Sequence, residues 1–482
     1  MYDVIIIGCG VVGAACAYSL SRYDLKIAVL ERSNDVANGT TKANSAIIHA
    51  GYDPVPGTLM ARLNVQGAAM AGEICRKLDV PYRQCGSMVL AFSDEDLEHI
   101  QKLYQRGTAN GVPGMSLLTG EEARALEPQL APEVKGALLA NSAGIICPWE
   151  YALAMAETAV RNGVELKRET RVTGLRRVEG GYAVATDKGV FSARYVLCAA
   201  GVDSGEVHGF LEEPGYTIVP TRGQYYLLDK NEGGRVDRVI FQCPNEKGKG
   251  VLVSPTVHGN LLVGPDAEVV TGAHDTAVTA EGLAAIAEAA RRSVPGVDLR
   301  ANIRNFAGVR ANCKGDDFLI GESRENPGFF HLSAIKSPGL SAAPAIGEYM
   351  VELLEKAGLS LSLREHFVDE RRRVKFRELS QEEKNELIRR EPAFGRVICR
   401  CETITEGEIV AALHSPIPPR SLNGVKRRCG AGMGRCQGGF CSPRVHELIS
   451  RELGIPFPDV CLEEDNSPLL VGETKQGKEA RA

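Results

Sequence analysis

The apolar positions at the N-terminus change rhythm twice before Glu31. Val4 to Ile7 form an unbroken apolar run, Ala14, Ala15, Ala17 and Leu20 recur at helical spacing, and Ile27 to Leu30 form a second run. An unbroken run suits a strand buried on both faces, so the succession predicts one βαβ unit over residues 3 to 31. Its turn carries Gly8, Gly10 and Gly13. Gly8 permits the tight turn, Gly10 lets the backbone approach a pyrophosphate, and Gly13 lets helix and strand pack closely, while the helix N-terminus offers unpaired N–H groups and a positive dipole end. Glu31 closes the second strand, placed to accept hydrogen bonds from a ribose 2′-hydroxyl. The pattern predicts an adenine dinucleotide, and the acid at Glu31 disfavours a 2′-phosphate.

Further along, the rhythm becomes that of a mixed fold. Glu150 to Asn162 reads as a helix, with Leu153, Met155, Ala156 and Val160 apolar. Alternating stretches follow at Gly181 to Thr186, Val190 to Ala193, Thr221 to Leu228, Gly250 to Ser254 and Asn260 to Pro265, punctuated by turn glycines, and they predict an antiparallel sheet. Another strand, Tyr195 to Cys198, runs into Ala199-Ala200-Gly201. Nucleotide-binding and sheet segments are therefore expected to interleave. Residues 365 to 394 turn highly charged, with Glu370-Arg371-Arg372-Arg373 and Gln381-Glu382-Glu383-Lys384, which predicts a solvated connector with helical parts over 366–394.

Composition narrows the class. The 482 residues exceed a single core and predict two or three domains. At 44% apolar and 24% charged residues, the chain reads as globular rather than disordered. A net charge of -5 argues against nucleic acid as a partner. Met1 leads straight into a strand-like run with no signal-peptide pattern, and no window approaches the ~18 apolar residues of a membrane helix, so the expected location is the cytoplasm, with any membrane contact peripheral. Fourteen cysteines in a reducing compartment are not expected to form disulfides. Nine of them, including Cys147, are scattered and read as small buried hydrophobes, while five crowd between Cys399 and Cys441.

Two further segments separate FAD from NAD. Gly39 to Gly51 is rich in small and hydroxyl residues, among them Thr40, Thr41, Asn44 and Ser45, and suits close approach around a second half of the cofactor. With the Ala199-Ala200-Gly201 element, it makes the chain resemble the D-amino-acid-oxidase-like flavoproteins, whose members embed FAD and oxidise a C–H bond beside an alcohol or amine. The resemblance implies that Ala200 and Gly201 repeat a cofactor contact and that Val172, in Arg171-Val172-Thr173-Gly174, touches the adenine side. In Ser337-Pro338-Gly339-Leu340-Ser341, the N–H groups of Gly339, Leu340 and Ser341 are placed to face the anionic edge of reduced flavin. Residues 1 to 360 are similar to anaerobic multi-subunit glycerol-3-phosphate dehydrogenases and to L-2-hydroxyglutarate dehydrogenases. Oxidising a secondary alcohol requires a base near the hydroxyl and a cation for an anionic tail. His49 and Arg310 are the first candidates, with Lys336 beside the flavin-facing loop as a weaker one. His49 alternatively serves packing or, as in some relatives, covalent flavin attachment; Arg310 alternatively pairs with Asp316 or Asp317.

The clustered cysteines are a C-x-C pair, Cys399 and Cys401, and a C-x4-C pair, Cys436 and Cys441. Four thiolates suit an iron-sulfur cluster or zinc. Val397 to Glu402 and Gly432 to Gly438 resemble the 2Fe-2S domain of the bacterioferritin-associated-ferredoxin type, which implies Cys399, Cys401, Cys436 and Cys441 as ligands and leaves out Cys429. Lys426, Arg427, Arg428 and Arg435 surround the second pair and would ease electron acceptance, or are simply solvated.

The expected fold class is α/β. A Rossmann-type FAD-binding domain (about 1–80, 145–215 and 305–365) is interleaved with an antiparallel-sheet substrate domain (about 81–144 and 216–304). A small helical iron-sulfur domain (395–455) and a tail (456–482) follow. The expected function is oxidation of a small anionic 2-hydroxy compound, sn-glycerol 3-phosphate foremost, with hydride passing to FAD and single electrons through a 2Fe-2S cluster to a partner subunit. L-2-hydroxyglutarate, an amino or imino acid, and a non-catalytic electron-transfer subunit remain as alternatives.

Overall fold

A computed structural model describes residues 1–244, 250–315, 317–464 and 466–472. Two compact units result, Met1–Arg32 with Val36–Arg371, and Ser33–Asp35 with Arg372–Ala482.

In the first unit, the strand Tyr2–Ile7 lies in an eight-stranded sheet, parallel to Ile27–Leu30 on one side and Gly189–Cys198 on the other, so that Ile7 faces both Leu30 and Cys198. Ile5 and Ile6 are fully buried, as a central parallel strand requires. The N-terminal helix Val11–Leu20 follows directly. Its glycine supports the close approach expected: a Cβ on Gly13 would lie 2.0 Å from the Gly8 carbonyl oxygen. The helix Pro148–Arg161 starts two residues earlier than expected, with Cys147 at its N-cap and Pro148 in the first turn, where proline's missing N–H costs nothing.

A nine-stranded sheet is built from residues 87–140 and 218–313. It is antiparallel except where Val239–Gln242 runs parallel to Ser87–Ala91. Several placements differ from expectation. Gly181–Thr186 and Val190 to Ala193, read among the strands of the antiparallel sheet, lie in the eight-stranded one, in keeping with the FAD-binding segment 145–215, because Gly189–Cys198 is a single strand carrying the Val190 and Tyr195 segments together. Asn302–Cys313 was expected to open a third FAD segment near residue 305, yet it pairs along its length with Ile218–Leu228 and belongs to the nine-stranded sheet. The stretch 366–394 is mostly exposed and holds the helix Gln381–Arg390, as its charge pattern predicts, but it is anchored to both units rather than free. Arg371 is buried on Glu157 at 2.6 Å in the first unit, and Phe376, Leu387 and Phe394 form a small apolar core in the second. The apolar residues in that run are few, but Leu387 of the helix Gln381–Arg390 meets Phe376 and Phe394 from its flanks, with Leu379 and Ile388 packed against them.

The second unit packs the helices Glu406–Leu413, Leu422–Cys429 and Ser442–Leu453 around Ile409, Val425 and Ile449, with a short hairpin, Val397–Cys399 and Ile404–Thr405. Val460, expected in a tail, is fully buried in the same core. Asp35 is also interior to this unit, its side chain only 2% exposed, and Arg428 grips both carboxylate oxygens at 2.8 and 2.9 Å while Arg427 adds a bond at 3.0 Å. Burial alone would raise the Asp35 pKa, but the two guanidiniums outweigh it and hold the carboxyl far below its ordinary range. Arg427 also reaches Glu463 at 2.6 Å. These two arginines are therefore neither solvated nor available to the cysteines, a correction to the expected ring of cluster-facing cations.

Candidate flavin and cluster sites

The glycine turn, the second glycine-alanine element and the hydroxyl-rich run converge in the first unit. Gly8 has φ +94°, open to glycine without strain, and a Cβ there would lie 2.7 Å from the Ala199 carbonyl oxygen, which sets Ala200 and Gly201 beside the turn. Glu31 accepts the Cys9 N–H at 2.7 Å, and its carbonyl accepts the Thr170 N–H, placing Val172 just beyond it. Thr41 Oγ accepts the Val11 N–H at 2.9 Å, so the hydroxyl-rich run is tied to the start of the N-terminal helix. Thr40 donates to the Val309 carbonyl at 2.6 Å, and a Cβ on Gly308 would sit 1.9 Å from the Ala43 carbonyl oxygen. Asn44 spans its own turn, donating to the Thr41 carbonyl and accepting the Ala46 N–H, and Ser45 Oγ lies 3.1 Å from the Tyr225 hydroxyl. The side chains of Thr40, Thr41 and Asn44 thus hold backbone in place, leaving backbone surface as what the run presents.

Near the other end, the helix Gly339–Lys356 begins with Gly339, Leu340 and Ser341. The Gly339 N–H bonds the Lys336 carbonyl at 2.6 Å, so the N–H groups of Leu340 and Ser341 form the positive helix end. Ser341 Oγ accepts the His49 N–H at 2.7 Å and joins this helix to the Ile47–Ile48 strand. His49 is half-buried, with Nε2 3.3 Å from Ser337 Oγ, its ring 5.8 Å from Phe241, and its carbonyl bonded by Asn64 at 2.7 Å. It lines a cleft with Tyr52, Asp53, Ser337 and Pro338. Arg310 donates to the Asp266 carbonyl at 3.2 Å, against Gly223. The pairing considered with Asp317 is replaced: that carboxylate caps a helix start, accepting the N–H groups of Leu59 and Met60, and Asp316 lies outside the described residues. Lys336 Nζ reaches the Gly315 carbonyl at 3.2 Å. Sequence reasoning missed Ser337, Asn64 and Phe241 as partners of His49; only Ser337 carried a signal, its place in the loop before Gly339.

In the second unit, Cys399 and Cys401 Sγ are 3.8 Å apart and Cys401 and Cys436 Sγ are 3.9 Å apart. A Cβ on Gly434 would fall 2.3 Å from Cys401 Sγ. The hydrogen bond from Cys441 brings the Cys399 thiol down to about 5 against the effect of burial, with help from the Gly432 and Glu402 N–H groups; as the donor, Cys441 is pushed up. Burial opposes ionisation of Cys436 too, but the N–H groups of Gly438, Phe440 and Gly439 pull its thiol below the ordinary value. Cys441 stands at the N-cap of Ser442–Leu453, a helix end that favours negative charge. Thiols this close, with backbone donors aimed at sulfur, fit an anionic iron-sulfur group. Cys429 differs: burial raises its thiol to about 12, and its Sγ bonds the Val425 carbonyl in its own helix.

A doubly wound sheet with a glycine turn, joined in one chain to a thiol-lined helical unit, defines a flavoprotein oxidoreductase with an iron-sulfur domain. The family described as FAD dependent oxidoreductase matches residues 3–353, the one described as BFD-like [2Fe-2S] binding domain matches residues 397–451, and the chain belongs to the FAD dependent oxidoreductase family. Its cofactors are FAD and a 2Fe-2S cluster. A glycerol 3-phosphate dehydrogenase of Caloramator mitchellensis is 48% identical over 476 residues, covering 98% of this chain and 99% of that protein. The human mitochondrial L-2-hydroxyglutarate dehydrogenase is 32% identical over 285 residues, 55% of this chain and 61% of that protein. The structure of dithionite-reduced L-alpha-glycerophosphate oxidase from Mycoplasma pneumoniae with FAD bound has a TM-score of 0.73 and 31% identity, covering 77% of this chain and 98% of that one. No helix among the described residues is long and apolar enough to cross a membrane.

Proposed function

We propose that this enzyme oxidises sn-glycerol 3-phosphate to dihydroxyacetone phosphate and delivers the electrons one at a time, through its cluster, to a partner subunit. The observation that carries the reading is the 48% identity to a glycerol 3-phosphate dehydrogenase across 98% of the chain, both cofactor domains included. Bound FAD supplies the hydride acceptor and the 2Fe-2S cluster the one-electron outlet.

The chain's own residues do the rest. Gly10, Ala200 and Gly201 give the cofactor close backbone approach, Gly8 and Gly13 make the turn and the helix–strand packing that allow it, Glu31 takes the ribose hydroxyls, and Val172 covers the adenine side. Thr40, Thr41, Asn44 and Ser45 shape the middle of the groove, and Leu340 and Ser341, after the turn at Gly339, point a positive helix end at the flavin edge. His49, steadied by Ser337, Asn64 and Ser341, takes the hydroxyl proton at a ring nitrogen. Arg310 presents the guanidinium fork for the anionic tail. Lys336 is subordinate, acting at a distance because its ammonium is already on the Gly315 carbonyl. Cys399, Cys401, Cys436 and Cys441 hold the cluster.

Anaerobic dye-coupled assays test the substrate. The expected result is flavin bleaching and dye reduction with glycerol 3-phosphate; activity on L-2-hydroxyglutarate alone overturns the choice, and bleaching by no 2-hydroxy compound or amine marks a non-catalytic subunit. His49→Ala is expected to lower kcat by about 10²–10⁴-fold with flavin content unchanged.

A further inference from the structure

Outside both cofactor sites, the first unit brings together three groups of metal-ligating type. Cys147 and Glu150 are buried at the start of the helix Pro148–Arg161, and His258 projects from the turn between Leu252–Pro255 and Leu261–Gly264. The thiol sulfur, a carboxylate oxygen and a ring nitrogen all lie within 4.8 Å of one another. We propose that Cys147, Glu150 and His258 form a zinc site that staples the nine-stranded sheet to this helix.

The donor set suits zinc: a thiolate, an imidazole and a carboxylate make a mixed soft and borderline set, and three protein ligands leave a fourth, tetrahedral position for water on the half-exposed His258 side. The surroundings favour the charges such a site requires. Cys147 is the helix N-cap and Glu150 lies in the first turn, where the dipole stabilises a thiolate and a carboxylate, and zinc then neutralises both. The ligands are also held in place. The Cys147 N–H is bonded to the Pro81 carbonyl, and the His258 ring stacks on Trp149 with centroids 6.5 Å apart at 19°. The turn that presents His258 is closed by Thr256 and Asn260 and passes through Gly259 at φ +84°. None of the three ligands is among the residues assigned to flavin or cluster, so the site acts on cohesion of the unit.

The test is metal analysis of the holoenzyme after growth with zinc and desalting. Wild-type protein is expected to carry one zinc per chain beside full flavin and iron. His258→Ala and Glu150→Gln are expected to bind zinc at least about tenfold more weakly, with flavin and iron unchanged. Zinc-edge X-ray absorption on the wild type needs no variant to fold: one sulfur near about 2.3 Å with nitrogen and oxygen near about 2.0–2.2 Å supports the site. Four sulfur neighbours would place the zinc at the Cys399 group and overturn the proposal, as would zinc retained equally by both variants or absent from iron-replete wild type.

Discussion

In the first unit the groups assigned to FAD are mostly backbone, drawn from Gly8 to Ser341, whereas the second unit offers four side chains, all between Cys399 and Cys441. Gly13 and Gly308 sit where a Cβ would strike a carbonyl oxygen at 2.0 and 1.9 Å, so the flavin groove depends on atoms that are missing. The cluster site depends on sulfur atoms that are present, 3.8 and 3.9 Å apart along its chain of contacts. A site made from backbone tolerates most side-chain changes and fails when bulk is added. A site made from thiolates fails on the loss of one atom.

The sharpest break in that comparison is Cys401→Ser. It is expected to abolish the cluster and its visible absorption while leaving flavin bound and bleachable by substrate. Loss of flavin together with iron would show that the two sites are not independent. Next in size is Asp35→Ala, which strands Arg428 and Arg427 in the interior of the cluster unit. Removing one partner of a buried pair costs about 3–5 kcal/mol, so urea should release the cluster at a much lower concentration than in wild type. An unchanged midpoint would mean that the arginines find other partners.

Gly13→Ala reverses the selectivity. Overpacking against the Gly8 carbonyl costs about 1–3 kcal/mol, and the purified protein should carry less flavin at undiminished iron content. The smallest effect concerns pH. His331 has its pKa lowered by burial and then by His208, whose ring stacks on it at 5.5 Å, with Glu212 opposing. The folded first unit therefore binds fewer protons there than the unfolded chain does. Its contribution to stability is present above the ordinary value of 6.5 and lost as pH falls below it. His331→Gln should flatten that acid limb in thermal melts of flavin fluorescence; a limb of unchanged slope would assign it to other groups.

Much of this was legible because the signals are short-range. The strand, glycine turn and helix from Tyr2 to Leu20 follow from neighbours a few residues apart, and the two cysteine pairs announce themselves by spacing. Glu31 could be placed because a strand end is a local property. The errors arose where locality stops: Gly181–Thr186 looks the same in either sheet, and only the unbroken partner Gly189–Cys198 decides which one it joins.

Sequence by itself therefore determined the dinucleotide turn, the thiol set and, through resemblance, the class of chemistry, because each rests on residues that act near their own position in the chain. Tertiary structure alone decided that Arg427 and Arg428 serve Asp35 rather than the cysteines, that Ser337, Asn64 and Phe241 hold His49, and that Cys147 meets His258. Those pairings join residues far apart in sequence, and a buried charge or thiol takes whatever partner the packing of the core brings within reach.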